Sequence, residues 1–530
     1  MAVSMAVLAG LASMVSAGAQ TPNLPPYLAA FPNFSPKLTA PMPGDVDINL
    51  QHALEGKQAF PEVQREFDLY AWQAFVALNW PTNDHNQPAP KFTDTAFGPP
   101  HWTLWHSSSS IYQTDGSTPA ACVQPGLRAM ALTRDLSRPV SRGLAPFSVQ
   151  ATQGTNPRTT RFLGVISAVG ELNVAKLSEI SQAFSGPLID QHGEFVYYEI
   201  MIDPNEVGYL CDNKLYNING QVAFSGAGGH VLMPSGTPQT DWSGSFELKL
   251  AWKILEGKDD PSRFYTQAAV IMDQGPDGKP VERHVTVGLV GMHIGHKSES
   301  SPQWIWATFE QVDNIAVDQV AHPSVNPSFA DLNCPICAIN VQPQPGANGV
   351  YPRIPTQVWR SIPIPPDKVV LNDQAEAALA RMGSVFQYYQ LIDTQWPTQP
   401  NVPPANPNGP LPAAVANKPG GDPTPVFLTN VTMETYFQGG VEPACNAEEL
   451  PNGQACPPAT PNWTSPMNAR TGPSPTVANV NIFGSESCMG CHSSAGVWTS
   501  YNPATQQGTQ SGQLTADFSW LLAQKANYRQ

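Results

Sequence analysis

Residues 285–311 read VTVGLVGMHIGHKSESSPQWIWATFEQ, and they carry the clearest fold signal in the chain. β-Branched and aromatic residues fill Val285–His296 and Gln303–Gln311, and a polar link containing a proline separates the two runs. Neighbouring strands with so short a link pair antiparallel. The same composition recurs in three earlier runs, Phe195–Ile202, Ser245–Leu255 and Phe264–Asp273. The sequence therefore predicts an antiparallel β-sheet as the body of an N-terminal unit.

Two amphipathic segments predict helices that flank this sheet. In Pro61–Trp80, apolar residues recur at helical spacing until Pro81 ends the pattern. A second segment, from about Asp373 to Thr394, has an apolar stripe of the same kind and ends before Pro397. We therefore expect an α+β protein whose C-terminal part is helical and loop-rich.

Near the carboxyl end, Ser487–His492 reads SCMGCH. Cys-x-x-Cys-His is the attachment signature of a c-type haem. The thiols of Cys488 and Cys491 reach the two porphyrin vinyl groups, and the imidazole of His492 then lies under the iron as its proximal ligand. The alternatives are a disulfide beside an unrelated histidine, or half of a zinc site. The motif predicts one covalent haem c.

The sixth iron ligand stays open at this point, because residues 493–530 contain neither methionine nor histidine. A methionine or histidine in that position would have to precede the motif, unless the iron has an open distal site. The candidates are Met467, Met433, His293 and His296. In a straight strand His293 and His296 point to opposite faces, so they do not hold one metal jointly.

The first 19 residues have the features of a cleavable signal peptide. They contain no acidic residue, have a small apolar middle and end on Ala17-Gly18-Ala19. The rest of the chain has no apolar run long enough to cross a bilayer, so we expect an exported protein, periplasmic or secreted, without a membrane anchor. The net charge of −15 argues against nucleic acid as a partner.

Six of the eight cysteines lie outside the haem motif, and an even number in an exported chain predicts disulfides. The CxxC pair in residues 334–337 is followed by alanine instead of histidine and lies among prolines, which favours a structural disulfide over a redox pair. Nearness in sequence favours the pairs Cys445–Cys456 and Cys334–Cys337, leaving Cys122–Cys211.

Composition divides the chain into four parts. Residues 1–19 are the signal peptide, residues 20–396 the sheet-rich domain, residues 397–425 a Pro-rich connector, and residues 426–530 a haem-binding segment like that of a cytochrome c.

Besides the haem motif, five stretches have a characteristic sequence: Trp304–Glu310, Val312–Asn314, Tyr388–Trp396, Thr432–Gln438 and Asp517–Leu522. With these stretches the chain resembles a family of exported bacterial cytochrome c proteins with a single haem. The resemblance covers most of the mature chain and implies the haem roles of Cys488, Cys491 and His492, but it implies no substrate.

Two functions follow from a haem of this kind. The first is electron transfer with a redox partner protein. The alternative is a periplasmic haem enzyme, a peroxidase- or oxygenase-like oxidoreductase, whose open distal iron site takes a small-molecule substrate. A third class is a structural or carbohydrate-facing protein with the haem as an accessory. Trp304 and Trp306 would suit stacking on a sugar, although alternate strand positions more often pack in a core.

Overall fold

The computed structural model describes residues 38–123, 160–163, 180–182, 185–238, 243–274, 280–315, 326–334, 337–346, 350–360, 364–397, 430–438, 488–493, 495–511 and 515–530. The predicted signal peptide, nearly all of the predicted connector, Met467 and the predicted Cys445–Cys456 disulfide lie outside these residues.

Most described strands belong to one curled sheet. In chain order the strands are β1 (His106–Ser107), β2 (Thr160–Leu163), β3 (Tyr197–Ile202), β4 (Phe246–Ile254), β5 (Thr266–Gln274), β6 (Pro280–His296), β7 (Ile305–Gln311), β8 (Tyr389–Gln395), β9 (Trp498–Asn502) and β10 (Gln507–Gln510). Strands β1 to β8 form the sheet, and β9 and β10 form a separate hairpin. The five predicted strands are confirmed as β3 to β7.

Strand β6 organises the sheet because it is long enough to serve three neighbours. It pairs with β5 through its first half, with β7 through its second half, and with β4 from Val287 to His296. Strands β3 and β1 extend the sheet beyond β4, and β8 extends it beyond β7. All pairs within the sheet are antiparallel except β2 with β5, which is parallel. The α+β prediction is confirmed, with a sheet that is antiparallel almost throughout.

The described α-helices lie around this sheet. They are α1 (Ile48–Glu55), α2 (Phe60–Leu78), α3 (Ser108–Ile111), α4 (Ala120–Val123), α5 (Pro204–Asp212), α6 (Ile218–Gly226), α7 (Pro366–Met382), α8 (Cys488–His492) and α9 (Leu521–Lys525). The predicted helix at Pro61–Trp80 is confirmed as α2, within two residues at each end.

The predicted helix from Asp373 to Thr394 is wrong in its second half. Helix α7 ends at Met382, where Gly383 adopts the left-handed conformation with φ of 73°. Glycine takes this conformation without steric cost, so it stops the helix. The residues after it form β8, which pairs with β7. The periodicity of Tyr389–Gln395 fits both a helix and a strand, and pairing with β7 decides the outcome.

The two faces of the sheet differ in chemistry. On one face Leu250, Met292, Phe309 and Leu391 stand side by side on β4, β6, β7 and β8. Helix α2 covers this face, with the ring of Phe75 stacked on that of Phe309 at 4.2 Å between centroids. Because side chains alternate along a strand, the next row points the other way. That row is polar and consists of Lys249, His293 and Thr308. On β8 a bulge interrupts the alternation, and Asp393, the register partner of Thr308, forms an ion pair with Lys368 of α7 at 3.3 Å.

Two predicted disulfides are confirmed. Cys122–Cys211 joins α4 to α5, and Cys334–Cys337 closes a short loop. Disulfides of this kind are typical of proteins from oxidising compartments. Within the described ranges, no helix combines the length and the apolar character that a membrane span requires.

Replacing Gly291 with alanine should loosen the contact between β6 and residues 430–433. A Cβ at Gly291 would overlap the Thr432 hydroxyl and lie 3.2 Å from the Met433 methyl group. We expect a loss of about 1–3 kcal/mol in the free energy of unfolding, measured by chemical denaturation. Gly208→Ala is the matched control: no atom lies within 4 Å of its Cβ position, so a gain of up to about 1 kcal/mol is expected in helix α5. Equal effects at both positions would contradict the close approach at Gly291.

Candidate functional site

Helix α8 presents two free thiols on a single turn. Cys488 and Cys491 are partly buried and unbridged, whereas Cys334 and Cys337, with the same spacing, form a disulfide. Burial raises the pKa of the Cys491 thiol to about 12 and that of Cys488 well above its usual value. Both thiols are therefore protonated at neutral pH, which slows oxidation because the thiolate is the reactive form.

His492 is held in one tautomer. Its Nδ1 lies 2.7 Å from the carbonyl oxygen of Phe518, and since a carbonyl only accepts, Nδ1 carries the proton. Burial lowers the pKa of His492 to about 4, so the ring is neutral and Nε2 keeps its lone pair. The ring also packs against the indole of Trp306, 4.2 Å between centroids. A neutral imidazole whose Nδ1–H donates to a backbone carbonyl is the usual state of a metal-binding histidine.

The Phe518 carbonyl belongs to an unusual turn, Ala516–Ser519. The Ser519 N–H donates to the Ala516 carbonyl at 3.0 Å, and the two central residues, Asp517 and Phe518, have φ of 49° and 68°. Two positive φ values are the pattern of a type I′ turn, which asparagine and glycine normally supply. For a bulky residue such as phenylalanine this conformation costs about 1–2 kcal/mol. The surroundings must therefore hold the turn in place.

The polar face of the sheet meets α8. The amide N–H of Met489 donates to Oε1 of Gln395 on β8 at 2.7 Å, which fixes the start of the helix. On β6, Nε2 of His293 lies 2.9 Å from Oε1 of Glu434. Burial alone would raise the pKa of Glu434, but the charge and hydrogen bond of His293 lower it overall. The pair thus consists of an ionised carboxylate and its imidazole partner.

Lys249 is the register partner of His293 on the neighbouring strand β4. Its ammonium group lies 5.1 Å from the centre of the Tyr198 ring. Burial lowers the pKa of Lys249, and the nearby Glu434 and Cys491 partly oppose that shift. Lys249, His293 and Glu434 therefore form a partly buried charged group beside the motif helix, and all three contribute to the electrostatic environment of His492.

The candidate distal ligands fall in different surroundings. His293 lies on the polar face beside the motif. His296 lies on the opposite face, with Nδ1 bonded to the Tyr70 hydroxyl and Nε2 at 2.5 Å from the Ser243 carbonyl oxygen. Burial lowers the pKa of His296 to about 3, which makes it a neutral core residue. Met433 is fully buried among apolar side chains, including those of Leu188 and Val196.

Trp304 and Trp306 are core residues. Their rings stack at 5.8 Å, and both belong to the apolar cluster that contains Met489 and Phe518. Their burial leaves neither indole exposed for stacking on a sugar.

No group of three or more His, Cys, Asp or Glu side chains in the described part of the chain is arranged to hold a metal ion. A haem iron does not need such a group, because the porphyrin supplies four of its ligands and the protein as few as one. The free thiols and the oriented imidazole of α8 fit this requirement.

Comparison of the chain with protein-family models, with curated proteins and with solved structures gives no match. The resemblance to single-haem cytochromes c stays a prediction, and the interpretation of the site depends on its geometry.

A double-mutant cycle can measure how strongly burial couples His293 to Glu434. With His293→Ala and Glu434→Gln, we expect a coupling free energy of about 1–3 kcal/mol in denaturant unfolding. The reason is that both side chains are largely buried, at 18% and 17% exposure. His284→Ala with Glu282→Gln is the control, since that pair has a similar separation of 3.0 Å but is exposed. There we expect no more than about 0.5 kcal/mol. Equal coupling in the two cycles would mean that the His293–Glu434 pair is open to solvent.

Proposed function

We propose that this protein is an exported c-type cytochrome that carries one covalent haem and acts in electron transfer. The attachment sites are Cys488 and Cys491, and His492 is the proximal ligand. The observation that carries the proposal is the Nδ1–H bond from His492 to the Phe518 carbonyl, on the same helical turn as two unpaired thiols. This bond keeps the proton on Nδ1, so the lone pair of Nε2 would be available to a haem iron.

The bound haem would supply a one-electron Fe(III)/Fe(II) couple. The residues of the chain supply attachment, orientation and shielding. The thiols of Cys488 and Cys491 are unbridged, and so available for thioether bonds. Phe518 fixes the tautomer of His492, and Trp306 covers one side of its ring, which limits the access of water to the imidazole.

Export of the protein and the kind of redox partner it would meet are argued from different observations. The signal-peptide pattern of residues 1–19 and the two disulfides favour an oxidising compartment outside the cytoplasm. The net charge of −15 permits docking to a redox partner protein with a basic surface, and it also suits a solvated acidic surface.

A second candidate function is that of a haem enzyme acting on a small molecule. The observation that favours it is the charged group Lys249, His293 and Glu434 next to the motif helix. An imidazole paired with a carboxylate can take up and return a proton, and a neighbouring ammonium can stabilise negative charge. A peroxidase- or oxygenase-like activity would use these groups on the distal side of the iron.

Covalent haem attachment is tested by expression in a host with working cytochrome maturation. We expect one haem per chain that survives denaturation, detected by the pyridine haemochrome spectrum and by the mass of the intact chain. Cys488→Ala with Cys491→Ala should abolish it. Cys334→Ala with Cys337→Ala, the other CxxC pair, should retain it. Colourless wild-type protein, or equal haem content in the two variants, would refute the proposal.

The state of the sixth coordination position separates the two functions. For electron transfer we expect the oxidised protein to be low-spin and its visible spectrum to stay unchanged for minutes after cyanide is added, because a protein side chain occupies the distal position. A high-spin spectrum with immediate cyanide binding would overturn this expectation and favour the enzyme. The His293→Ala variant then shows whether His293 is the distal group.

A further inference from the structure

We propose that the buried ion pair Lys297–Asp517 is a positioning device that holds the Phe518 carbonyl on His492 and thereby sets the reduction potential of the haem. The inference rests on the proposed haem site. It gives Lys297 and Asp517, which lie far apart in sequence and outside the haem motif, a role in setting the reduction potential.

The first observation is the anchoring of Lys297 in the sheet. Lys297 follows the last residue of β6, its N–H donates to the Ser245 carbonyl at 3.0 Å, and its own carbonyl accepts from the Gly236 N–H at 2.9 Å. Its side chain is 1% exposed, and Nζ lies 2.6 Å from both carboxylate oxygens of Asp517. The pair therefore ties the Ala516–Ser519 turn to a fixed point at the end of the longest described strand.

The second observation is the conformation that the pair maintains. Asp517 and Phe518 are consecutive residues with positive φ, and neither is glycine. A turn with this strained backbone conformation persists only when contacts from outside the turn hold it in place. Asp517 has two of these, since its Oδ2 also accepts from the Met233 N–H at 2.6 Å. The turn is held from two sides, and the Phe518 carbonyl within it accepts from Nδ1 of His492.

The third step is chemical. A carbonyl that accepts from Nδ1–H draws the proton partly away from the imidazole, so the ring becomes a stronger electron donor at Nε2. A stronger donor stabilises Fe(III) relative to Fe(II) and lowers the reduction potential. If the turn drifts, the hydrogen bond lengthens and the potential rises.

The double variant Lys297→Met with Asp517→Ala tests this because it removes one charge of each sign. Electrostatics alone predicts little change in potential, whereas loss of positioning predicts a rise, measured by spectroelectrochemical titration. We also expect the His492 Nδ1–H to exchange with solvent about tenfold faster, and this exchange rate is measured by NMR in the ferrous state.

Lys253→Met with Asp190→Ala is the matched control, because Lys253 and Asp190 form a buried pair at 3.3 Å toward the other end of β4. It should change neither quantity.

Lys297→Met with Asp517→Asn is the milder form if the first variant does not fold. Asparagine tolerates positive φ and still accepts from Met233, but the link to β6 is lost. An unchanged potential and an unchanged exchange rate in either folded variant would overturn the positioning role. Failure of the proposed function is distinct, since the wild type itself would then carry no covalent haem.

Discussion

The register between β4, β6, β7 and β8 is the constraint on which the rest of the structure depends. Side chains alternate between the faces of a strand, so a slip of one residue would exchange an apolar row for a polar one. In the observed register helix α2 packs on the apolar row, with Trp72 and Phe75 against Phe309. The polar row faces the C-terminal part of the chain: Lys249, His293 and Thr308.

Buried polar groups must find partners, and that requirement places the C-terminal segments. Asn430 donates to the Thr308 hydroxyl, and Glu434 bonds to His293, so residues 430–438 are fixed on β6 and β7. Gln395 and the Lys297–Asp517 pair fix the regions on either side of His492. Hydrogen bonds and ion pairs are directional, and they therefore orient the motif helix and its histidine more narrowly than apolar packing would.

Much of the framework could be predicted from local sequence. Strands β3 to β7, helix α2 and the two described disulfides follow from composition, periodicity and spacing. The segment after Gly383 could not be predicted, because Tyr389–Gln395 becomes a strand through pairing with β7. Helices α5 and α6 and the β9–β10 hairpin were missed, since short elements with weak periodicity depend on packing. The Asp517–Phe518 turn could not be predicted either, because neither residue is the glycine or asparagine that normally marks such a turn in a sequence.

The sequence by itself determined the chemistry of the candidate site: two thiols and an imidazole at fixed spacing, in a chain with an even number of further cysteines. Spacing within six residues is local, so no fold is needed to recognise it. Only the tertiary structure decided that Phe518 orients His492, that Lys297 holds the turn, and that His293 and not His296 faces the motif. These contacts join residues from 26 to 220 positions apart, and chain folding alone brings such residues together.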